Sequence, residues 1–285
     1  MSPTRAQRWL ALVEMTRPTK PLAAALFTLL GAYLAAPAAQ VVSLPALSAA
    51  SVVFLVTAFG LVVNDCYDIA VDRVGKPDRP LPSGRVSMRL AAAFAALLAL
   101  GALALSASLG WGLALIALGA VALSWGYSYR LKNTVLFGNA SVAVLVVASI
   151  LYGALAVGAP GTAVWTAAAV SFPYVTAQEG LFNLEDEDED RAAGLHTTAT
   201  CLGGEGTARL IRAILALFIV AALAPGVFGF APAAYVAAAL VLLALPAAFF
   251  IHLLRTPLSR TAVVRTAKLS RLVWAASFVP FALLK

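Results

Sequence analysis

Three carboxylates stand at the end of a long apolar run. In "NDCYDIAVDRVGKPDRPLPSGRVS", Asn64 to Ser87, the residues Asp65, Asp68 and Asp72 fall at i, i+3 and i+7. If the helix of residues 46 to 63 continues past Val63 they share one face with Asn64 beside them, and Gly75 and Pro77 then end it. Three like charges on one face near a helix C-terminus repel each other and oppose the helix dipole. Something cationic must compensate. Solvation, or pairing with Arg73 and Arg79, would do so without any chemistry.

A second acidic stretch, "QEGLFNLEDEDEDRAAGLHTTA", Gln178 to Ala199, makes the first harder to dismiss. Glu179, Asn183, Asp186 and Asp190 fall at i, i+4, i+7 and i+11, again one helix face. Glu185, Glu187, Asp188 and Glu189 lie off that face and read as solvated. Two carboxylate faces opposed across a cavity are hard to hold apart without metal. Mg²⁺ takes one or two carboxylates and fills its shell with water and phosphate oxygens, so the implied ligand is a Mg²⁺-chelated diphosphate. Lys76, Arg79, Lys132 and Arg191 are the nearby cations that would neutralise it.

The elements that position these residues are membrane helices. The 285 residues are 62% hydrophobic and 12% charged, with mean hydropathy +0.91, far outside the range of soluble domains. Nine apolar stretches are long enough to cross a bilayer, near residues 22–38, 46–63, 90–108, 111–128, 137–157, 161–182, 208–228, 232–253 and 269–284. Of 20 basic residues all but Lys285 fall at alternate ends of these stretches, and the connections near 39–45, 109–110, 158–160 and 229–231 carry no charge. The positive-inside rule then predicts an all-α, polytopic membrane protein of nine transmembrane helices, N-inside and C-outside.

All 13 acidic residues sit on the same inner side. One acidic motif follows the second helix and the other the sixth, which predicts one domain over 1–285 with a faint repeat of about 17–132 and 137–268. The net charge of +7 matches anionic headgroups rather than nucleic acid, whose motifs are absent. Cys66 and Cys201 both map to the reducing side, so no disulfide is expected. Residues 3–16 read as an interfacial amphipathic helix rather than a signal peptide. "GGEG", Gly203 to Gly206, reads as a turn before the seventh helix. His196 reads as a loop residue, and His252 as one capping the eighth helix.

At the acidic stretches the sequence resembles the UbiA-type superfamily of intramembrane prenyltransferases. "NDCYDIAVDRVGKPDRPLPSG" matches that family's NDxxDxxxD with its RPLPSG-type tail, and "DEDEDRAAGLHT" resembles its second motif. "YSYRLK", Tyr127 to Lys132, with Gly138 and Asn139, resembles its YSxxxK segment, and Arg17-Pro18 fits its start to the first helix. Asn183 stands where many members have Asp, and Gln178 where a basic residue often stands.

The resemblance implies helices around a central cavity open sideways to lipid. In it, Asn64, Asp65, Asp68, Asp72, Asp186 and Asp190 would hold Mg²⁺, two ions in all, with the five Asp residues catalytic. Lys76, Arg79, Lys132, Arg191 and Asn64 would bind the diphosphate, while Arg17, Tyr127, Glu179 and Asn183 would line the cavity. The implied reaction is transfer of a prenyl group from a prenyl diphosphate to a lipophilic, aromatic acceptor within the bilayer. The implied location is a bacterial inner membrane, with the site facing the cytoplasm. A terpene cyclase of the same fold is one alternative and a cation-coupled transporter another. No stretch carries an acid at its midplane, where coupled transport sites usually lie. Oligomeric state and prenyl length stay open.

Overall fold

The computed structural model describes residues 4–285, and every regular element among them is helical. In chain order these are α1 (Arg5–Thr16), α2 (Thr19–Ala35), α3 (Leu44–Tyr67), α4 (Ile69–Gly75), α5 (Met88–Leu109), α6 (Trp111–Tyr129) and α7 (Phe137–Val157). They continue as α8 (Thr162–Glu185), α9 (Glu187–Ala192), α10 (Thr198–Val227), α11 (Ala233–Ala239), α12 (Leu245–Leu253), α13 (Arg260–Ala276) and α14 (Phe278–Ala282). Ser43, Ser87, Thr197 and Ser259 each accept a hydrogen bond from the amide three residues on, which fixes where α3, α5, α10 and α13 begin. Between α11 and α12 the turn Leu240–Ala244 widens to a π turn just before Pro246, which has no N–H to continue the ladder.

Helical rods occupy each of the nine expected stretches. Six of them, α3, α5, α6, α7, α10 and the rod Ala233–Leu253, are long and apolar enough to cross a membrane, and α2 is apolar but shorter. The remaining two are more polar: α8 carries Gln178, Glu179 and Asn183 on its second half, and α13 carries Arg265, Lys268 and Arg271. Three rods start three or more residues earlier than hydropathy predicts, α2 at Thr19, α10 at Thr198 and α13 at Arg260. Their first turns are polar. The expected turn at "GGEG" is a break inside α10, where Gly203 takes φ 68°.

Close backbone approach joins α2 to α7. A Cβ on Gly31 would overlap the Ile150 carbonyl oxygen, and one on Gly153 would overlap that of Thr28, so only glycine lets these helices meet at this distance. The amphipathic α1 buries Ala11, Leu12 and Met15 against Ala58, Phe59 and Val62 of α3, and leaves Trp9, Leu10 and Val13 exposed. The interfacial helix expected from residue 3 is described from Arg5 onward. Arg85 anchors α1 by donating to both carboxylate oxygens of Glu14, at 2.6 and 2.9 Å.

Candidate active site

Both acidic motifs sit on the same construction. α3 ends at Tyr67 and α4 begins at Ile69, with Asp68 between them at φ −88°, ψ 3°. α8 ends at Glu185 and α9 begins at Glu187, with Asp186 between them at φ −98°, ψ 7°. The i to i−4 ladder runs on through each break: Asp68 N donates to Asn64 O at 2.9 Å and Asp72 N to Asp68 O at 2.8 Å, while Asp186 N donates to Phe182 O at 2.9 Å and Asp190 N to Asp186 O at 2.8 Å. The shared face expected from spacing therefore survives a bend.

The two bends meet. Glu189 Oε2 lies 3.8 Å from where a Cβ on Gly75 would sit. Asp190 is within electrostatic reach of Asp68, and Asp186 within that of Lys76. Tyr127, on α6, lies within reach of Asp68, Glu179 and Asp190 together, and Lys20, at the start of α2, within reach of Glu179, Arg17, Arg79 and Arg271. Residues from α2, α3, α4, α6, α8 and α9 thus converge on one end of the bundle.

Charge is balanced differently in the two halves. Asp65 and Asp72 are buried. Arg17 donates to Asp65, Arg79 sits 2.7 Å from Asp72 and 3.6 Å from Asp65, and Lys132 donates to Asp68. Arg17 takes φ 44°, ψ 67°, a left-handed backbone that L residues adopt at a cost. The turn Leu131–Asn133 brings Lys132 over α7, and a Cβ on Gly138 would stand 2.8 Å from the Leu131 oxygen, so this approach also depends on glycine.

In the second half no cation stands within 4.0 Å of Asp186 or Asp190 among the described residues. Burial pushes the Asp190 carboxyl up to about 6; the Thr197 hydroxyl opposes this, and the charges of Asp186, Glu189 and Asp68 add to it. Burial also raises Asp186, with Glu189 and Glu185 adding and Lys76 and Arg260 opposing. The Oδ1 of Asn183 is buried without a hydrogen-bond partner, an arrangement that costs free energy until something fills it.

These oxygens fit a hard divalent cation. Among the described residues no three His, Cys, Asp or Glu side chains stand together closely enough to hold a metal ion, so an ion here would depend on water and phosphate oxygens for the rest of its shell. The orphaned Asn183 Oδ1 and the cation-free Asp186 and Asp190 are the donors such an ion would satisfy.

The model of the UbiA prenyltransferase family matches residues 24–272. The chain belongs to the UbiA prenyltransferase family. It is 36% identical over 277 residues to the digeranylgeranylglyceryl phosphate synthase of Halobacterium salinarum, covering 94% of this chain and 95% of that one. It is 38% identical over 221 residues to the synthase of that name from Methanoregula boonei, covering 74% and 75%. Among solved structures, a digeranylgeranylglyceryl phosphate synthase superposes with TM-score 0.79 at 23% identity, covering 96% of this chain and 97% of that one. A UbiA homolog from Archaeoglobus fulgidus bound to GPP and Mg²⁺ gives 0.73 at 20%, covering 95% and 99%. These likenesses show that the UbiA fold is shared.

Within that fold the sequence-derived site residues part into two groups. Arg17, Asp65, Asp72 and Arg79 form one ion-paired cluster, and Lys132 pairs separately with Asp68. Lys76, Tyr127, Glu179, Asn183, Asp186 and Asp190 lie beside it, with Asn64 on the last turns of α3. Arg191 turns away: it pairs with Glu187 at 2.7 Å, its side chain 57% exposed. Two of the acids expected to be solvated also have partners, Glu187 in Arg191 and Glu185 in Arg271 at 3.6 Å. Gln178 points away from the motifs and donates to Ser270 Oγ of α13 at 3.1 Å, so its departure from the family pattern serves helix packing. Sequence reasoning missed Lys20 and Thr197. A second basic residue three positions after Arg17 was the signal for the first; nothing singled out the second.

Proposed function

We propose that this UbiA-family prenyltransferase transfers a prenyl group from a prenyl diphosphate to the free hydroxyl of a prenylated glyceryl phosphate, in a Mg²⁺-dependent reaction. The observation that carries the site reading is the meeting of two bent acidic motifs at one end of an apolar bundle, one half neutralised by cations and the other rich in unpaired oxygens. The acceptor reading draws on the curated relatives, named for making digeranylgeranylglyceryl phosphate. The acceptor becomes an alcohol rather than the aromatic ring expected from sequence alone.

In this reading Asn64, Asp65, Asp68, Asp72, Asn183, Asp186 and Asp190 are the oxygens available to metal. When bound, Mg²⁺ supplies charge stabilisation on the leaving diphosphate. Arg17, Arg79, Lys132 and Lys76 donate to diphosphate oxygens; Arg191, held by Glu187, is left out of that set. The allylic carbon–oxygen bond to diphosphate breaks, an ether bond forms to the acceptor oxygen, and the hydroxyl proton passes to the departing diphosphate. Apolar helices hold the prenyl tail and keep water from the electron-poor carbon. Tyr127, within reach of Asp68, Glu179 and Asp190, supplies a π face that favours positive charge.

Helices at all nine stretches support the nine-helix arrangement, and the basic residues at alternate ends support N-inside, with the site on the cytoplasmic face of the cell membrane. The bacterial source expected from sequence is not carried forward, since the relatives come from archaea. The matching bends at Asp68 and Asp186 support one domain, 1–285, with related halves near 17–132 and 137–268.

Purified protein in lipid nanodiscs, given geranylgeranyl diphosphate and Mg²⁺ with either geranylgeranylglyceryl phosphate or a panel of hydroxylated aromatic acids, tests this by mass spectrometry. The expected product is the doubly prenylated glyceryl phosphate. Prenylated aromatics alone would overturn the acceptor, a cyclised hydrocarbon would make the protein a terpene cyclase, and ion flux without consumption of any prenyl diphosphate would make it a transporter.

A further inference from the structure

We infer that the two acidic motifs take up metal at different steps: the Asn183–Asp186–Asp190 half binds a divalent cation from solution, and the Asp65–Asp68–Asp72 half opens to one only when a diphosphate draws its cations away. The inference rests on the metal-dependent reading above and adds an order to it.

Every carboxylate of the first motif is already satisfied. Arg17 and Arg79 hold Asp65, Arg79 holds Asp72, and Lys132 holds Asp68. A divalent ion arriving alone would have to displace three cations at contact distance and leave them facing it without partners, in surroundings where Asp65 and Asp72 are buried. Repulsion between charges at such separations is strong where water is scarce. A diphosphate reverses the balance. Its oxygens give Arg17, Arg79 and Lys132 new charge-assisted partners and bring ligands that complete the shell of the incoming ion.

The second motif has no such guard. Asp186 and Asp190 have no cation within 4.0 Å among the described residues, and Asn183 Oδ1 is buried without a partner. Asn183 stands where the first motif has a third carboxylate, and Lys76 and Arg260 act on Asp186 only from beyond 4.0 Å. The cations of the first motif therefore act first as placeholders on the carboxylates and then as ligands of the diphosphate. Metal at the first motif and diphosphate must each strengthen the other's binding by the same factor.

Equilibrium dialysis of the full chain in nanodiscs against Mn²⁺, with and without inorganic diphosphate, reads this directly. The expected stoichiometry is one Mn²⁺ per chain without diphosphate and two with it, diphosphate tightening the second by about tenfold or more. The double substitution Asp186→Asn/Asp190→Asn should remove the diphosphate-independent ion. The double substitution Arg79→Gln/Lys132→Gln should admit the second ion without diphosphate. Two ions of equal affinity in the wild-type chain without diphosphate would overturn the order, as would loss of the first ion on Asp65→Asn but not on Asp186→Asn/Asp190→Asn. Failure to bind Mn²⁺ even with diphosphate would overturn the metal reading itself, and the inference with it. The wild-type stoichiometry needs no variant to fold.

Discussion

Asp65 and Asn183 occupy the same step of the two acidic motifs, each three residues before the Asp at which its helix bends, and their surroundings are opposite. Asp65 is buried beneath two arginines, whereas the Asn183 Oδ1 is buried with nothing to accept from. One position is charged and neutralised; the other is neutral and vacant of partners.

Substitution at Asn183 should therefore act through metal. Asn183→Asp adds a charged ligand beside Asp186 and should lower the Mg²⁺ concentration for half-maximal diphosphate release by roughly three- to tenfold, since ligand charge tunes affinity at oxygen sites. Asn183→Leu should raise that concentration by a similar factor while leaving the maximal rate at saturating Mg²⁺ largely intact. A Mg²⁺ titration of both variants checks this, and unchanged curves would count against any metal near Asn183.

Arg17 sets backbone strain against charge. Arg17→Gly relieves a left-handed backbone worth about 1 kcal/mol, but it leaves Asp65, its side chain 4% exposed, with only Arg79 at 3.6 Å. Stranding a buried charge costs about 3–5 kcal/mol when no partner remains, so charge outweighs strain and the variant should be destabilised. Arg17→Ala should be worse by about 1 kcal/mol because it keeps the strain. Thermal unfolding of both in detergent decides it; equal losses would show that the backbone is unstrained.

Removing a motif carboxylate should stop chemistry without unfolding the chain. Asp68→Ala and Asp190→Ala, one from each half, should each cut diphosphate release by about a hundredfold or more, the scale set by losing a preorganised charge-stabilising group. Circular dichroism and membrane yield should stay near wild type. Chelation by EDTA should have the same effect on the intact protein, and full turnover in EDTA would end the metal role.

A packing variant gives the opposite signature. Gly31→Val places side-chain atoms where the Ile150 carbonyl oxygen already lies, and overpacking of this kind costs about 1–3 kcal/mol. Its melting temperature should fall while the Mg²⁺ concentration for half-maximal rate in the folded fraction stays put. A shift in that concentration without loss of stability would mean that the α2–α7 contact reaches the site.

Much of this was written in the sequence because the bilayer is a simple solvent. Apolar stretches marked the six rods long and apolar enough to cross a membrane, and i, i+3, i+7 spacing put Asp65, Asp68 and Asp72 on one face. Hydropathy missed the starts of α10 and α13 because their first turns are polar but still capped, by Thr197 and Ser259. The bends at Asp68 and Asp186 left no mark in spacing because the hydrogen-bond ladder runs through them. Partnerships such as Arg17 with Asp65, 48 residues apart, depend on where helices cross, which composition does not encode. Gln178 looked like a departure in the site for the same reason: its side chain faces α13, and only the crossing of α8 and α13 reveals it.

The neutralisation of Asp65 also bears on how the chain enters the membrane. Arg17 precedes α2, Asp65 lies in the last turn of α3, and Arg79 follows 14 residues later, so the acid and both its partners lie in one segment, 17–79, that contains α2, α3 and α4. That segment can insert with its charges already matched, before Lys132 or the second motif has been synthesised. Insertion of this segment therefore needs no ion from solution to neutralise Asp65.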